Sequence, residues 1–231
     1  MKIARIPSGI PGFDKIVEGG LKKGSINLVC GGAGSGKTTF AVQFLMEGIK
    51  GGEPGIYITF EERKEKLYDD ILEFGWDLQK YEEMGLFKFL VYAPEQIKRV
   101  LVEGGGTIDA IITQMRAKRL VIDSITSFAL LFQDELTQKE SSLALFELIN
   151  RWGCTAILTS QAVQLSPEDL TAQLQFEVDS IIILYHFKSK GVRSRAIEVL
   201  KMRGTRTPEK TIKLEIGKGG ITIDPSVIVT V

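Results

Sequence analysis

The sequence predicts an α/β protein: a mostly parallel central sheet flanked by helices, with a C-terminal antiparallel extension. Three observations predict it. Apolar runs of strand length alternate with helix-period segments from Ile26 to about Thr159, the pattern of a parallel sheet covered on both faces. A glycine-rich stretch lies between the first apolar run and the first helical segment. The last third changes character, with three strand-like runs joined by short turns that carry Gly or Pro and no helices between them.

The elements follow in order. Ile26-Asn27-Leu28-Val29-Cys30 reads as a buried strand, and Phe40, Ala41, Phe44, Leu45, Gly48 and Ile49 recur at helical spacing. Gly51-Gly52 breaks the chain before a strand from Gly55 to Phe60, and a charged helix is expected from about Glu61 to Phe74. A strand near Phe87–Tyr92 and a short helix near Glu95–Val102 precede the break at Gly104-Gly105-Gly106. A helix from Thr107 to Ala117 leads into the strand Arg119–Asp123, and one from about Gln138 to Trp152 feeds the strand Cys154–Thr159. Ser180–Tyr185, Arg195–Met202 and Thr211–Ile216 form the antiparallel extension. With no internal repeat and no low-complexity linker, the expectation is a single domain over residues 1–231.

Composition narrows the classes of function. A hydrophobic fraction of 44% is ample for one core. The 29 basic and 29 acidic residues cancel, so no global charge points to nucleic acid or to an anionic membrane. Neither a secretory pattern nor an apolar stretch of membrane-spanning length is present, which leads us to expect a cytoplasmic protein with no membrane partner. Cys30 and Cys154 fall in or beside core strands and read as small buried hydrophobes. The lone His186, at the end of an apolar strand, supports neither a metal site nor a catalytic triad.

The glycine stretch Gly31-Gly32-Ala33-Gly34-Ser35-Gly36-Lys37-Thr38 is a GxxxxGKT phosphate-binding loop between a strand and a helix, the context in which the motif counts. Its glycines let backbone N–H groups turn inward around phosphates, and the helix N-terminus adds partial positive charge. Gly32, Ala33, Gly34, Ser35, Gly36, Lys37, Thr38 and Thr39 are therefore the candidate nucleotide-binding residues. Lys37 is expected to reach the β- and γ-phosphates, and Thr38 to ligate Mg²⁺. Asp123 closes an apolar strand in the Walker B manner and is the second candidate Mg²⁺ ligand, although an Asp there also suits an ordinary turn.

Ser124 follows Asp123 where many P-loop ATPases carry a water-activating Glu, so the carboxylate must come from elsewhere. Glu61 and Glu62 are the candidates, because the carboxyl ends of parallel strands line the ligand crevice. The same residues also fit a capping box, Thr59-x-x-Glu62. Lys201 and Arg203, alternate residues before a Gly turn, suit a finger reaching toward a polyphosphate. An edge strand protected by charge explains them as well.

Together these residues resemble the KaiC-like branch of the RecA superfamily. The resemblance rests on Gly9-Ile10-Pro11-Gly12-Phe13-Asp14, Glu18-Gly19-Gly20-Leu21, Gly24, the phosphate loop, Thr59-Phe60-Glu61-Glu62, Val121-Ile122-Asp123-Ser124 and Lys201-Met202-Arg203-Gly204-Thr205, in collinear order from about residue 8 to 217. It implies a RecA-like P-loop NTPase core that hydrolyses ATP with Mg²⁺ between the subunits of a homo-oligomeric ring, usually a hexamer. It makes Glu61 and Glu62 catalytic carboxylates, makes Lys201 and Arg203 groups supplied in trans, and points to Gln161 as a coupling residue after a core strand.

There are departures. The circadian clock protein that names the family has two such domains in tandem, and this sequence has one. Its autophosphorylated Ser-Thr pair is replaced by Gln175-Phe176, so autokinase activity is not expected. Arg206-Thr207-Pro208 follows Gly204-Thr205 where the family often has a histidine.

Three functions compete. One is an ATP-driven switch or motor acting on a protein client that the sequence does not name. The second is a DNA recombination or repair paralog; the segments Gln133–Thr137 and Ser166–Asp169, expected to face a ring's centre, are acidic where DNA requires Lys and Arg. The basic hairpin Lys188–Arg195 is the counter-evidence, and a solvated turn explains it equally well. The third is a nucleotide sensor without hydrolysis, against which the Glu pair argues.

Overall fold

The computed structural model describes residues 3–132, 134–161, 177–189 and 191–231, without the side chains at 94, 95 and 135. At the N-terminal end, β1 (Arg5–Ile6) and β2 (Leu21–Lys22) pair antiparallel around α1 (Phe13–Ile16). Then follow β3 (Ile26–Gly31), α2 (Lys37–Lys50), β4 (Gly55–Thr59), α3 (Lys64–Leu72), α4 (Leu78–Glu83) and β5 (Phe87–Val91). The middle of the chain holds α5 (Pro94–Val102), α6 (Gly106–Met115), β6 (Arg119–Asp123), α7 (Ile125–Ala129), α8 (Glu135–Trp152) and β7 (Thr155–Ser160). Last come β8 (Ser180–Ser189), β9 (Val192–Met202), β10 (Ile212–Gly217) and β11 (Gly220–Ile228).

One nine-stranded sheet runs in the order β11-β10-β9-β8-β3-β7-β6-β4-β5. Strands β8 through β5 in that order are parallel, and β9, β10 and β11 add antiparallel at one edge. The predicted architecture is the observed one. Burial on both faces explains why β3, β4, β6 and β7 are apolar almost throughout. Alternate side chains serve opposite cores: Val29, Tyr57, Val121 and Ile157 pack with α1–α4, and Leu28, Ile56, Ile58, Leu120 and Leu158 pack with α5–α8.

Several expected boundaries shift. The helix after β4 begins at Lys64, with Arg63 as its N-cap, rather than at Glu61. The Thr59 hydroxyl accepts from the Glu61 and Glu62 amides at 3.3 and 3.1 Å, so it closes a turn at the strand end, and the capping box expected there is not the start of the helix. Within the acidic segment Gln133–Thr137, the residues from Asp134 on form the head of α8: Asp134 is its N-cap and accepts from Thr137 N–H at 2.9 Å. Its carboxylate complements the helix dipole. Ser166–Asp169 and Gln175-Phe176 lie outside the described residues. The extension carries one strand more than expected, β11, and β8–β9 reaches outward past Tyr185 to Ser189 and Val192.

Candidate active site

The phosphate loop occupies the C-terminal end of β3, in the middle of the sheet. Gly36, at φ +104°, is the N-cap of α2, and no side chain caps the first turn. The first amides of α2 are thus left to other acceptors. Space is tight where the loop needs it. A Cβ on Gly31 would lie 2.4 Å from Leu184 O and 2.6 Å from Ser35 Oγ. On Gly36 it would lie 2.8 Å from Ile216 Cδ1.

Among the described residues, Ser35 Oγ is the one buried side-chain polar atom without a hydrogen-bond partner. Leaving a hydroxyl in that state costs roughly 1–3 kcal/mol, which a phosphate oxygen within the loop would recover. Lys37 donates from Nζ to Gly31 O at 2.8 Å and Gly32 O at 3.1 Å. Burial lowers its pKa from the usual lysine value, and the Asp123 carboxylate opposes that shift.

Asp123 ends β6, two strands from β3, yet its carboxylate meets the loop's helix directly. Thr38 Oγ1 donates to Asp123 Oδ2 at 2.9 Å. The Tyr57 hydroxyl donates to the same oxygen at 2.7 Å, and Thr159 Oγ1 to Oδ1 at 2.5 Å. A carboxylate and a hydroxyl side by side are hard oxygen donors of the kind Mg²⁺ takes, so these residues fit that ion. Tyr57 is wholly buried, and burial together with Asp123 and Glu62 holds its hydroxyl protonated, far above the usual tyrosine range. In the sequence Tyr57 is part of an apolar strand, and nothing in the pattern separates a buried Tyr that packs from one that also donates.

Ser124 has its own task. Its hydroxyl caps α7, accepting from Ser127 N–H at 3.1 Å. The two glutamates sit two and three residues beyond Thr59, which is the register partner of Asp123, so the Glu pair stands beside the Walker B strand end. Glu61 is exposed; Glu62 is half-buried and 3.4 Å from Lys66. Gln161, one residue past the C-terminal end of β7, is anchored by its backbone N–H, which donates to Thr126 Oγ1 at 3.0 Å.

Lys201 and Arg203 lie elsewhere. Lys201 pairs with Ile181 and Arg203 N–H donates to Asp179 O, which places both at the N-terminal end of β3 and β8. Along the strand that is roughly 10 Å from the loop for Lys201, level with Leu28, and roughly 16 Å for Arg203, level with Ile26. Lys201 Nζ donates to Val178 O at 2.9 Å, and burial, then Arg203, lowers its pKa. Arg203 lies one residue past the end of β9.

A phosphate loop at the centre of a mostly parallel sheet, with a Walker B carboxylate on its helix and an antiparallel edge, defines a RecA-like P-loop ATPase. The chain belongs to the KaiC ATPase family, whose model matches residues 6–227. It is 34% identical to the circadian clock protein KaiC3 of Synechocystis sp. over 96% of this chain and 46% of that protein. It is 33% identical to UPF0273 protein PF1931 of Pyrococcus furiosus, covering 96% of this chain and 95% of that one. The crystal structure of the KaiC-like protein PH0186 of Pyrococcus horikoshii OT3 superposes with a TM-score of 0.86 at 37% identity, covering 97% of this chain and all of that one. The chain thus spans about half the clock protein and nearly the full length of the archaeal relatives.

Proposed function

We propose that the whole chain acts as one ATPase domain in the cytoplasm. In this reading it hydrolyses ATP with Mg²⁺ at the interfaces of a homo-oligomeric ring of six copies and serves as a nucleotide-dependent switch or motor for a protein client. The observation that carries this reading is the meeting of Thr38 and Asp123 at 2.9 Å at the head of α2, with Lys37 across the loop beside them. The loop amides and Lys37 bind and orient the phosphates, and Thr38 and Asp123 hold Mg²⁺. The ion, when bound, offsets charge on the transferring phosphoryl oxygens. Glu61 or Glu62 accepts, at a carboxylate oxygen, the proton of the attacking water. Lys201 and Arg203 face a neighbour's phosphates.

Steady-state ATP turnover tests the catalytic part. The Glu61→Gln/Glu62→Gln double variant should bind ATP and lose about 10²- to 10⁴-fold in turnover, the usual contribution of a positioned base. Turnover that survives both substitutions removes the glutamates from catalysis. Chelation of Mg²⁺ should abolish turnover in the unsubstituted protein.

A further inference from the structure

The basic β8–β9 hairpin reaches the apex of the phosphate loop. Parallel pairing of β8 with β3 ends at Leu184 opposite Gly31, where the loop begins. His186 and Arg195 are register partners in the hairpin just beyond that point. Arg195 Nε donates to Gly34 O at 2.8 Å, and His186 Nδ1 lies 3.3 Å from Ala33 O. A carbonyl only accepts, so the His186 contact is made by the Nδ1–H form. Gly34 has φ +72°, and a Cβ there would lie 3.1 Å from His186 Nδ1, so the ring seats closely on the loop. Two side chains from adjacent strands therefore grip two successive carbonyls.

The planarity of the peptide bond gives this grip its consequence. The C=O of Ala33 shares a plane with the N–H of Gly34, and the C=O of Gly34 shares one with the N–H of Ser35, each pair pointing in opposite directions. Carbonyls drawn outward toward the hairpin turn those N–H groups away from it, toward the inside of the loop. Ser35 N–H there makes only a 3.3 Å contact with Gly32 O, at the long end for a hydrogen bond, and an anion competes with it easily.

We propose that Arg195 and His186 are positioning residues that set the phosphate loop for nucleotide by holding the Gly34 and Ala33 carbonyls outward. The inference rests on the ATP site proposed above. It gives the hairpin a role within that site that needs no DNA.

Dissociation of a fluorescent ADP analogue from the purified protein tests it. Arg195→Met keeps the length and removes the donor, and should speed release about tenfold, the worth of one charge-assisted hydrogen bond. Arg195→Gln restores a neutral donor and should return release toward the original rate. The unfolding midpoint without nucleotide, taken alongside, shows that both variants are folded. Release at the original rate in Arg195→Met overturns the proposal, and so does release in Arg195→Gln as fast as in Arg195→Met, because charge rather than the carbonyl grip would then be what matters. Should the Met variant not fold, His186→Phe keeps the ring volume, removes the second donor and carries the same test. An unsubstituted protein that binds no nucleotide would instead defeat the ATP reading itself.

Discussion

Asp123 accepts more hydrogen bonds than a strand-end turn residue requires. Three hydroxyls, from Thr38, Tyr57 and Thr159, converge on its two oxygens. Thr38 belongs to the motif, whereas Thr159 entered only as the last residue of the strand expected from Cys154. Tyr57 was not legible as a donor, because its chemistry depends on β4 lying next to β6, a fact of topology. It packs on Phe89 with ring centroids 5.6 Å apart and nearly parallel, so Tyr57→Phe keeps the stack and removes only the donor. Outer partners of metal-bound carboxylates commonly tune affinity by 10- to 100-fold. Two hydroxyls remain on Asp123 in this variant, so the Mg²⁺ concentration for half-maximal turnover should rise about tenfold, at the low end. Maximal turnover at saturating Mg²⁺ should change little. An unchanged Mg²⁺ dependence would reduce Tyr57 to packing.

At the scale of elements, α2 is positioned by contacts along its whole length. Gln43 donates to Gly9 O and Ile221 O and accepts from Ile221 N–H, which binds the helix to the N-terminal segment and to β11. Arg119, 2% exposed, donates from Nε to Glu53 at 2.8 Å and from its guanidinium to Pro7 O and Phe44 O, with the Phe44 ring 4.7 Å from Cζ. The sequence placed Arg119 at a strand start and read Gly48 only as an apolar-face residue. Their mutual dependence comes from packing between elements far apart in the chain. A Cβ on Gly48 would lie 2.2 Å from Arg119 Nε and 2.4 Å from Cδ. Gly48→Ala should therefore destabilise the protein although Ala favours a helix by about 1 kcal/mol. Displacing the guanidinium leaves buried carbonyls unpaired, at about 1–3 kcal/mol each, and that outweighs the helical gain. Chemical denaturation should show a lower midpoint; an equal or higher one would mean that Arg119 yields without cost. β11 and α4 escaped prediction for a related reason: β11 is half exposed and interrupted by Asp224-Pro225, and α4 is six residues capped by Asp77, too short for a helical period to declare itself.

The whole molecule is polar along its strands. The phosphate loop, Asp123 and the Glu pair gather at the carboxyl ends of the parallel strands, and Lys201 and Arg203 stand at the other end, on β9 and just past it. One copy cannot apply its own Arg203 to its own loop across roughly 16 Å of strand. A second copy can, in a head-to-tail interface that buries different faces of the two partners and closes as a ring when the rotation permits. The proposed trans role then makes a prediction that an edge-protecting role does not. Lys37→Ala alone and Arg203→Ala alone should each abolish turnover. Mixed after dissociation, they should recover activity, because an Arg203→Ala copy contributes an intact loop and a neighbouring Lys37→Ala copy an intact Arg203. Random equal mixing of two copies places such a pair at about a quarter of head-to-tail interfaces, so recovery should approach a quarter of the unsubstituted rate. Persistent inactivity in mixed assemblies of confirmed composition would assign Arg203 to the edge of its own sheet. Full activity of Arg203→Ala alone would do the same, and would leave the site complete within one chain.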